Sequence, residues 1–172
     1  MAFLLKLNHE FMEILKLIES KLVLEGDRFA SMKYWSDWKG ASDAEKLLLR
    51  SIEEIPWRQD YIHMMGKKIP IPRLQNWFGV PGTSYTYSRI TIPALPFPKW
   101  MDALRKDVQI TTGEVFNSVL VNYYRDGKDS NDWHSDDEKE LGNSPIIASI
   151  SLGAERIFHL RHKDSKEKIK IN

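Results

Sequence analysis

Two side chains that commonly bind metals, His134 and Asp136, lie two residues apart in the acidic segment 134–138. On an extended chain, side chains two residues apart point to the same side, so one metal ion can contact both groups. Together they supply two of the three ligands of the two-histidine, one-carboxylate site that holds non-haem iron. No third ligand is evident. The pair predicts a metal site, although a lone His-x-Asp is more often a solvated turn.

The composition excludes several classes of protein and of functional site. The 172 residues include 25 Lys and Arg against 24 Asp and Glu, a formal net charge of +1, so no global field marks a nucleic-acid partner. The absence of Cys excludes disulfides, thiolate zinc sites and a Cys nucleophile. Apolar runs are far shorter than the roughly 20 residues that span a bilayer. We expect one intracellular domain with no membrane association.

Helices are predicted in the first part of the chain and strands in the second. Apolar residues at helical spacing predict an amphipathic helix over residues 11–22. A capping-box pattern at Ser42 and Glu45 predicts a second helix from about Asp43 to Glu54, and a third is expected around residues 98–111. From residue 70 onward, short apolar runs separated by Pro, Gly, Asp and Asn predict strands.

Three of the predicted strands matter for the chemistry of His134 and Asp136. In residues 115–124 the alternation places Asn122 and Tyr124 on one face, beside the loop that leads to His134. Residues 145–152 predict an apolar strand, with residues 157–161 as its hairpin partner and residues 161–166 as a basic loop. A new polar and apolar alternation at residues 168–171 has no turn residue or cap after it, which predicts a cut inside a strand.

Seven motifs, in this order, resemble the AlkB family of iron(II)/2-oxoglutarate dioxygenases, and its DNA-repair branch most of all. The motifs are Pro72-Arg73, Tyr85-Thr86-Tyr87-Ser88, Phe116-Asn117-Ser118-Val119-Leu120, Asn122-Tyr123-Tyr124-Arg125-Asp126-Gly127, Trp133-His134-Ser135-Asp136-Asp137-Glu138, Ile147-Ala148-Ser149-Ile150-Ser151-Leu152-Gly153-Ala154 and Arg161-His162-Lys163. The resemblance runs from about Glu54 to the last residue.

The resemblance implies the fold class α+β, mainly β. We expect a double-stranded β-helix, or jelly-roll, with N-terminal helices and with the C-terminal strands missing. A helical N-terminal extension over residues 1–40 would then precede an AlkB-like dioxygenase domain over residues 41–172 that is incomplete at its C-terminus.

The resemblance also implies a reaction. His134 and Asp136 match the first two iron ligands, and Asn122 and Tyr124 match residues that hydrogen-bond 2-oxoglutarate. The cofactor would be Fe(II), with 2-oxoglutarate as cosubstrate. The expected reaction is oxidative demethylation of N-alkylated bases in DNA, of the 1-methyladenine and 3-methylcytosine type, with O2 consumed and formaldehyde released.

Substrate binding would fall to six further residues. They are Arg73, Tyr85, Tyr87, Asp137, Glu138 and Arg161. The tyrosines would stack on a flipped base, the carboxylates would favour a cationic methylated base, and the arginines would bind phosphates. Arg89 stands where the family commonly has Gly, which puts the local turn in doubt. We expect a monomer acting on alkylated DNA, with RNA as the second candidate, in a bacterial cytoplasm or a eukaryotic nucleus.

Two residues of the family's site have no match in this chain: the second iron-binding His and the Arg that pairs with the distal carboxylate of the cosubstrate. His159 could in principle turn toward iron but does not match the family ligand. We therefore expect a truncated form with little or no activity. Two alternatives remain, a non-catalytic nucleic-acid-binding remnant of the same fold and, less favoured, a hydroxylase of a protein or small molecule.

Overall fold

A computed structural model describes residues 2–8, 18–23, 29–87, 90–136 and 145–171. Its elements are β1 (Ala2–Asn8), β2 (Ile18–Val23), β3 (Phe29–Tyr34), α1 (Ala41–Glu54), β4 (Tyr61–Met64), β5 (Lys67–Pro70), β6 (Leu74–Gly79), β7 (Ser84–Tyr87), β8 (Ile90–Pro93), α2 (Lys99–Thr112), β9 (Ser118–Tyr124), β10 (Ala148–Gly153), β11 (Phe158–Arg161) and β12 (Lys168–Ile171). Neither helix in the part of the chain that the structure describes has the length or hydropathy to cross a bilayer.

A four-stranded mixed sheet organises these elements. Its strand order is β10-β1-β9-β6, with β1 parallel to both of its neighbours and β6 antiparallel to β9. The other strands pair as four antiparallel hairpins, β2-β3, β4-β5, β7-β8 and β11-β12. Mostly short antiparallel strands with two helices are compatible with the expected, mainly β class. Closure into a double-stranded β-helix stays a prediction.

The predicted N-terminal helix is wrong where it can be compared. Residues 18–22 belong to strand β2, which pairs along its length with β3, and residues 9–17 lie outside the described residues. Ile18 and Leu22 are four residues apart, a spacing that fits one face of a strand as well as one face of a helix. The described parts of residues 1–34 are strands, so the expected helical character of the extension is not found there.

The other two helices are confirmed, but the predicted cap of α1 is wrong. The helix begins at Ala41, before Ser42, and Gly40 caps it with a φ of 67° and no side-chain hydrogen bond. Ser42 therefore lies within the first turn, where its hydroxyl cannot act as the N-cap. The helix α2 starts after Pro98 and ends at Gly113, whose φ of 76° suits a left-handed C-cap.

The expected hairpin between the strands near residues 145–152 and 157–161 is also wrong. Strand β10 pairs with β1, and β11 pairs instead with β12. Between them, Gly153 has a φ of 86° and Arg156 donates a hydrogen bond to the carbonyl of Asp129. These features turn the chain away from the edge of β10. The predicted basic loop then connects β11 to β12, and the strand expected at residues 168–171 is confirmed.

The core lies between one face of the central sheet and the two helices. Helix α2 contributes Met101, Leu104 and Val108, which are at most 4% exposed, and the sheet contributes Phe78, Val119, Val121 and Leu152. Partly buried residues of α1, including Leu47, Leu48 and Ile52, pack against the same cluster. The opposite face of β6 and β9 is therefore the one that remains for polar side chains.

Replacing Met101 with alanine should lower the free energy of unfolding by about 2–5 kcal/mol, because its fully buried side chain would leave a cavity. Ile110 on the same helix is 82% exposed, so Ile110→Ala should change stability by no more than about 0.5 kcal/mol. Urea unfolding with an unchanged m-value measures both. Equal losses in the two variants would contradict the assignment of the core face of α2.

Candidate functional site

The face of β9 that lies away from the core carries buried polar residues. Asn122 is 1% exposed and Tyr124 7% exposed, and alternation along β9 places them on the same face, as the sequence indicated. Gln75 of β6 lies opposite Asn122 in the antiparallel pair, and Arg73, two residues earlier, is 5% exposed. The structure thus brings Arg73, Asn122 and Tyr124 together.

Arg73 connects this face to the loop that follows β9. Its Nε donates a 3.1 Å hydrogen bond to Oδ1 of Asn122, and its Nη1 donates a 3.0 Å hydrogen bond to Oδ1 of Asn131. A phosphate contact at Arg73 stays a prediction.

Asn122 and Tyr124 fit a cosubstrate with carboxylate groups. Because Oδ1 of Asn122 accepts from Arg73, Nδ2 of Asn122 points elsewhere, and it has no hydrogen-bond partner among the described residues. A buried donor of this kind calls for an acceptor. Burial raises the pKa of Tyr124, against the influence of Arg73 and Arg156, so its hydroxyl stays protonated at neutral pH and is able to donate.

Asp129 anchors the loop that runs from β9 to His134 and Asp136. Its carboxylate accepts hydrogen bonds from the backbone N of Arg125 at 3.0 Å, from Nε at 2.7 Å and from Nη2 at 2.9 Å. The backbone carbonyl of Asp129 accepts from Arg156, and the next residue, Ser130, donates its backbone N–H to Pro72. The hydrogen bonds from Arg125 lower the pKa of Asp129. Hydrogen bonds therefore attach the loop to the end of β9 and to the segment before β6 upstream of His134.

His134 and Asp136 are close enough to share a metal ion. Nε2 of His134 lies 3.5 Å from Oδ1 of Asp136, and both side chains are partly exposed. Two ligand atoms about 2.1 Å from one metal, at right angles to each other, lie about 3 Å apart. Nδ1 of His134 lies 2.7 Å from the carbonyl oxygen of Asp132, which can only accept, so the neutral imidazole in this geometry has its proton on Nδ1 and its lone pair on Nε2. This tautomer and donor set fit Fe(II).

A third protein ligand is not found in the described part of the chain. No group of three or more His, Asp or Glu side chains there could hold a metal, so His159 does not complete the pair in this arrangement. Residues 137–144, which include Asp137 and Glu138, lie outside the described residues, as does Arg89. Tyr85 and Tyr87 belong to β7, whose side chains are not described, so their stacking role stays a prediction.

Trp133 is a candidate site residue for which the sequence predicted no separate role. It directly precedes His134, it is 43% exposed, and the guanidinium carbon of Arg161 lies 4.4 Å from its ring centroid. Nζ of Lys168 lies 6.0 Å from the same centroid, and the ring of His159 lies 6.2 Å from it. Basic residues of the β11-β12 hairpin therefore pack against Trp133, the residue that precedes His134. Only the adjacency of Trp133 to His134 could have indicated this.

Comparison with known proteins gives a consistent result. Residues 31–172 match the 2OG-Fe(II) oxygenase superfamily. The Rattus norvegicus protein named alpha-ketoglutarate-dependent dioxygenase alkB homolog 3 is 44% identical over 128 residues, which cover 73% of this chain and 42% of the relative. The Homo sapiens protein of that name is also 44% identical over 128 residues, covering 73% and 43%.

A second group of relatives is similar to this chain over almost the same length. The Bos taurus protein named DNA oxidative demethylase ALKBH2 is 37% identical over 132 residues, which cover 75% of this chain and 48% of the relative. The chain thus spans less than half the length of each of these three relatives.

The anchoring role of Asp129 predicts a pH dependence of stability. The folded-state pKa of Asp129 is lowered below the unfolded value of about 3.9, so its stabilising contribution is complete above that value and is lost as the pH falls through the folded-state pKa. Asp129→Asn should cost about 1–3 kcal/mol at pH 7 and should flatten the stability profile below about pH 4. Denaturant unfolding between pH 2 and pH 7, about the range in which this linkage operates, measures both effects.

Asp37→Asn is the matched control, because Asp37 is exposed. It should leave both the stability at pH 7 and the acid limb unchanged. An Asp129→Asn profile that overlays the parent profile would contradict the anchoring role.

Proposed function

Since this chain belongs to the AlkB family of the 2OG-Fe(II) oxygenase superfamily, we propose that its site serves oxidative demethylation of N-alkylated bases in DNA, of the 1-methyladenine and 3-methylcytosine type. Fe(II) and 2-oxoglutarate are the metal and cosubstrate of this family. The observation that carries the proposal is the separation of 3.5 Å between Nε2 of His134 and Oδ1 of Asp136, on a loop tied to the buried Asn122 and Tyr124 face.

The roles of the chain's own residues follow from that geometry. His134 and Asp136 would hold the iron, and the carbonyl of Asp132 keeps the imidazole in the tautomer that leaves Nε2 free to bind. Asn122 and Tyr124 would donate hydrogen bonds to 2-oxoglutarate. When bound, the iron, 2-oxoglutarate and O2 supply the oxidising power that hydroxylates the methyl group. The hydroxymethyl group then leaves the base as formaldehyde.

Recognition of the base is proposed to combine stacking and charge. Tyr85 and Tyr87 would stack on a flipped base, and Asp137 and Glu138 would favour a cationic methylated base over a neutral one. Arg161 would contact the phosphates beside the base, which contributes affinity rather than sequence specificity. Alkylated DNA is the preferred substrate because matched relatives, the Bos taurus protein among them, are named DNA oxidative demethylases, and RNA is the second candidate. We propose that the protein acts as a monomer inside the cell.

We expect the 172 residues alone to turn over slowly. The described residues offer two protein ligands to the iron, and the positions that they do not fill would go to water or to other small ligands. The assay must therefore use protein in excess over the substrate, so that a single slow turnover can be detected.

The function is tested by formaldehyde release from an oligonucleotide that contains 1-methyladenine. We expect a slow release that requires Fe(II) and 2-oxoglutarate, and at least a hundredfold loss in His134→Ala and Asp136→Ala because each variant removes an iron ligand. Anaerobic titration with Fe(II) and 2-oxoglutarate, followed through the visible absorption of the complex, should show the same loss.

His63→Ala is the matched control for that experiment, because His63 is an exposed residue of strand β4. It should release formaldehyde as the parent chain does. Formaldehyde release that persists in both His134→Ala and Asp136→Ala would overturn the assignment of the iron ligands.

The alternative function, a non-catalytic nucleic-acid-binding remnant, has one specific observation in its favour. The packing of Arg161 and Lys168 against Trp133 forms a basic and aromatic surface that needs no metal. Surfaces of this kind bind single-stranded nucleic acid by stacking and by charge. Equal binding of a methylated oligonucleotide with and without iron and 2-oxoglutarate, together with no formaldehyde release, would favour this alternative.

Both functions predict the same effect at Arg161. Arg161→Met should weaken oligonucleotide binding and reduce the salt dependence of log K by about one phosphate contact, because one cation is lost. Fluorescence anisotropy at several salt concentrations measures this, with Arg50→Met, an exposed residue of α1, as the control that should bind normally. An unchanged salt slope in Arg161→Met would exclude the phosphate contact.

A further inference from the structure

The loop that leads to His134 runs beside the segment before strand β6 and is bonded to it at two consecutive residues. The backbone N–H of Ser130 donates a 2.8 Å hydrogen bond to the carbonyl of Pro72. Nη1 of Arg73 donates a 3.0 Å hydrogen bond to Oδ1 of Asn131. Of these two contacts, only the second is made by side chains. A substitution at Asn131 therefore removes it and leaves the backbone contact in place.

The residue that orients the imidazole of His134 follows directly. Asp132 accepts a hydrogen bond at its backbone carbonyl from Nδ1 of His134, at 2.7 Å, and at Oδ1 from the backbone N–H of Trp133, also at 2.7 Å. Within the described residues, the side chain and the carbonyl of Asp132 bond only to these two neighbours. The position of the Asp132 carbonyl is therefore set by the residues beside it in the loop.

Asn131 is exposed, but the group that holds it is buried. Arg73 is 5% exposed, and its Nε donates a 3.1 Å hydrogen bond to Oδ1 of Asn122, which is 1% exposed. The guanidinium is thereby fixed from strand β9, and a hydrogen bond from a charged donor is stronger than one between neutral groups. Arg73 therefore connects the position of a buried strand to an exposed residue of the loop.

We infer that Asn131 is a positioning residue for His134. The hydrogen bond that it accepts from Arg73 holds the loop where the carbonyl of Asp132 meets Nδ1, and this contact selects the tautomer with its lone pair on Nε2. Groups that orient a metal ligand in this way influence how tightly the metal is held. The role of His134 as an iron ligand rests on the proposed function, whereas the orientation of its imidazole rests on the geometry.

The tautomer of His134 in the metal-free chain tests the inference without any contribution from iron. Nitrogen chemical shifts, measured at a pH at which the imidazoles are neutral, report which nitrogen carries the proton, and His134→Ala identifies its signals among those of the five histidines. Asn131→Leu removes the acceptor at similar volume, so the proton should be shared between Nδ1 and Nε2 instead of residing on Nδ1. Asn131→Asp keeps an acceptor oxygen for Arg73 and should retain the parent tautomer.

Lys128→Leu is the matched control, because Lys128 is an exposed residue of the same loop whose side chain forms no hydrogen bond within the described residues. It should leave the tautomer of His134 unchanged. Asn131→Ala removes the same acceptor as Asn131→Leu and carries the same expectation, so the test does not depend on the folding of a single variant.

The affinity for iron should follow the tautomer. In an anaerobic titration, Asn131→Leu should bind Fe(II) about tenfold to a hundredfold more weakly than the parent chain, and Asn131→Asp at least as tightly. The melting temperature of Asn131→Leu should change little, because water can replace Oδ1 as the acceptor at an exposed position. A purely structural role would instead lower the melting temperature and leave the tautomer of the folded chain unchanged.

Two outcomes would overturn the inference: an unchanged His134 tautomer in folded Asn131→Leu and Asn131→Ala, or a tautomer lost equally in Asn131→Asp. Failure of the proposed function looks different, because the tautomer would still depend on Asn131 while no formaldehyde is released. Formaldehyde release that requires His134, with a tautomer indifferent to Asn131, would overturn the inference and leave the proposed function standing.

Discussion

The burial of strand β9 on both of its faces is the constraint on which the rest of the structure depends. Val119 and Val121 close the core on one face, while Asn122 and Tyr124 are buried on the other. A polar side chain buried on the second face must find a hydrogen-bond partner, because leaving a buried polar group unsatisfied destabilises the fold. Arg73 supplies one such partner for Asn122, and in doing so joins the start of β6 to the centre of the site.

The positions of His134 and Asp136 depend indirectly on the same arrangement. His134 and Asp136 are partly exposed and lie on a loop, a setting in which side chains are seldom held in a fixed geometry. Here the loop is attached to the buried strand through Asp129 and through the contact of Asn131 with Arg73. The carbonyl of Asp132 then orients the imidazole. A rigid buried strand thereby positions two candidate metal-binding side chains that lie near the surface.

The sequence predicted those features that local chemistry determines. The two confirmed helices have a Pro or Gly at their ends, and the shared face of Asn122 and Tyr124 follows from alternation alone. The strand β2 was predicted as helix because a spacing of four residues is common to both periods. The pairing of β11 with β12 depends on contacts between distant residues, such as that of Arg156 with Asp129, which no local pattern reveals.

The electrostatics of the site likewise could not be predicted from the sequence. A formal net charge of +1 over 172 residues gives no sign of a local cation, because the composition sums charges that the fold keeps apart. The surface arginines of the described chain are largely matched by neighbouring carboxylates, whereas Arg73 is buried between amide groups. An uncompensated charge in a medium of low polarity interacts far more strongly with an anion than the same charge does at the surface. The burial of this one charge between amide groups depends on the fold, so only the three-dimensional structure reveals it.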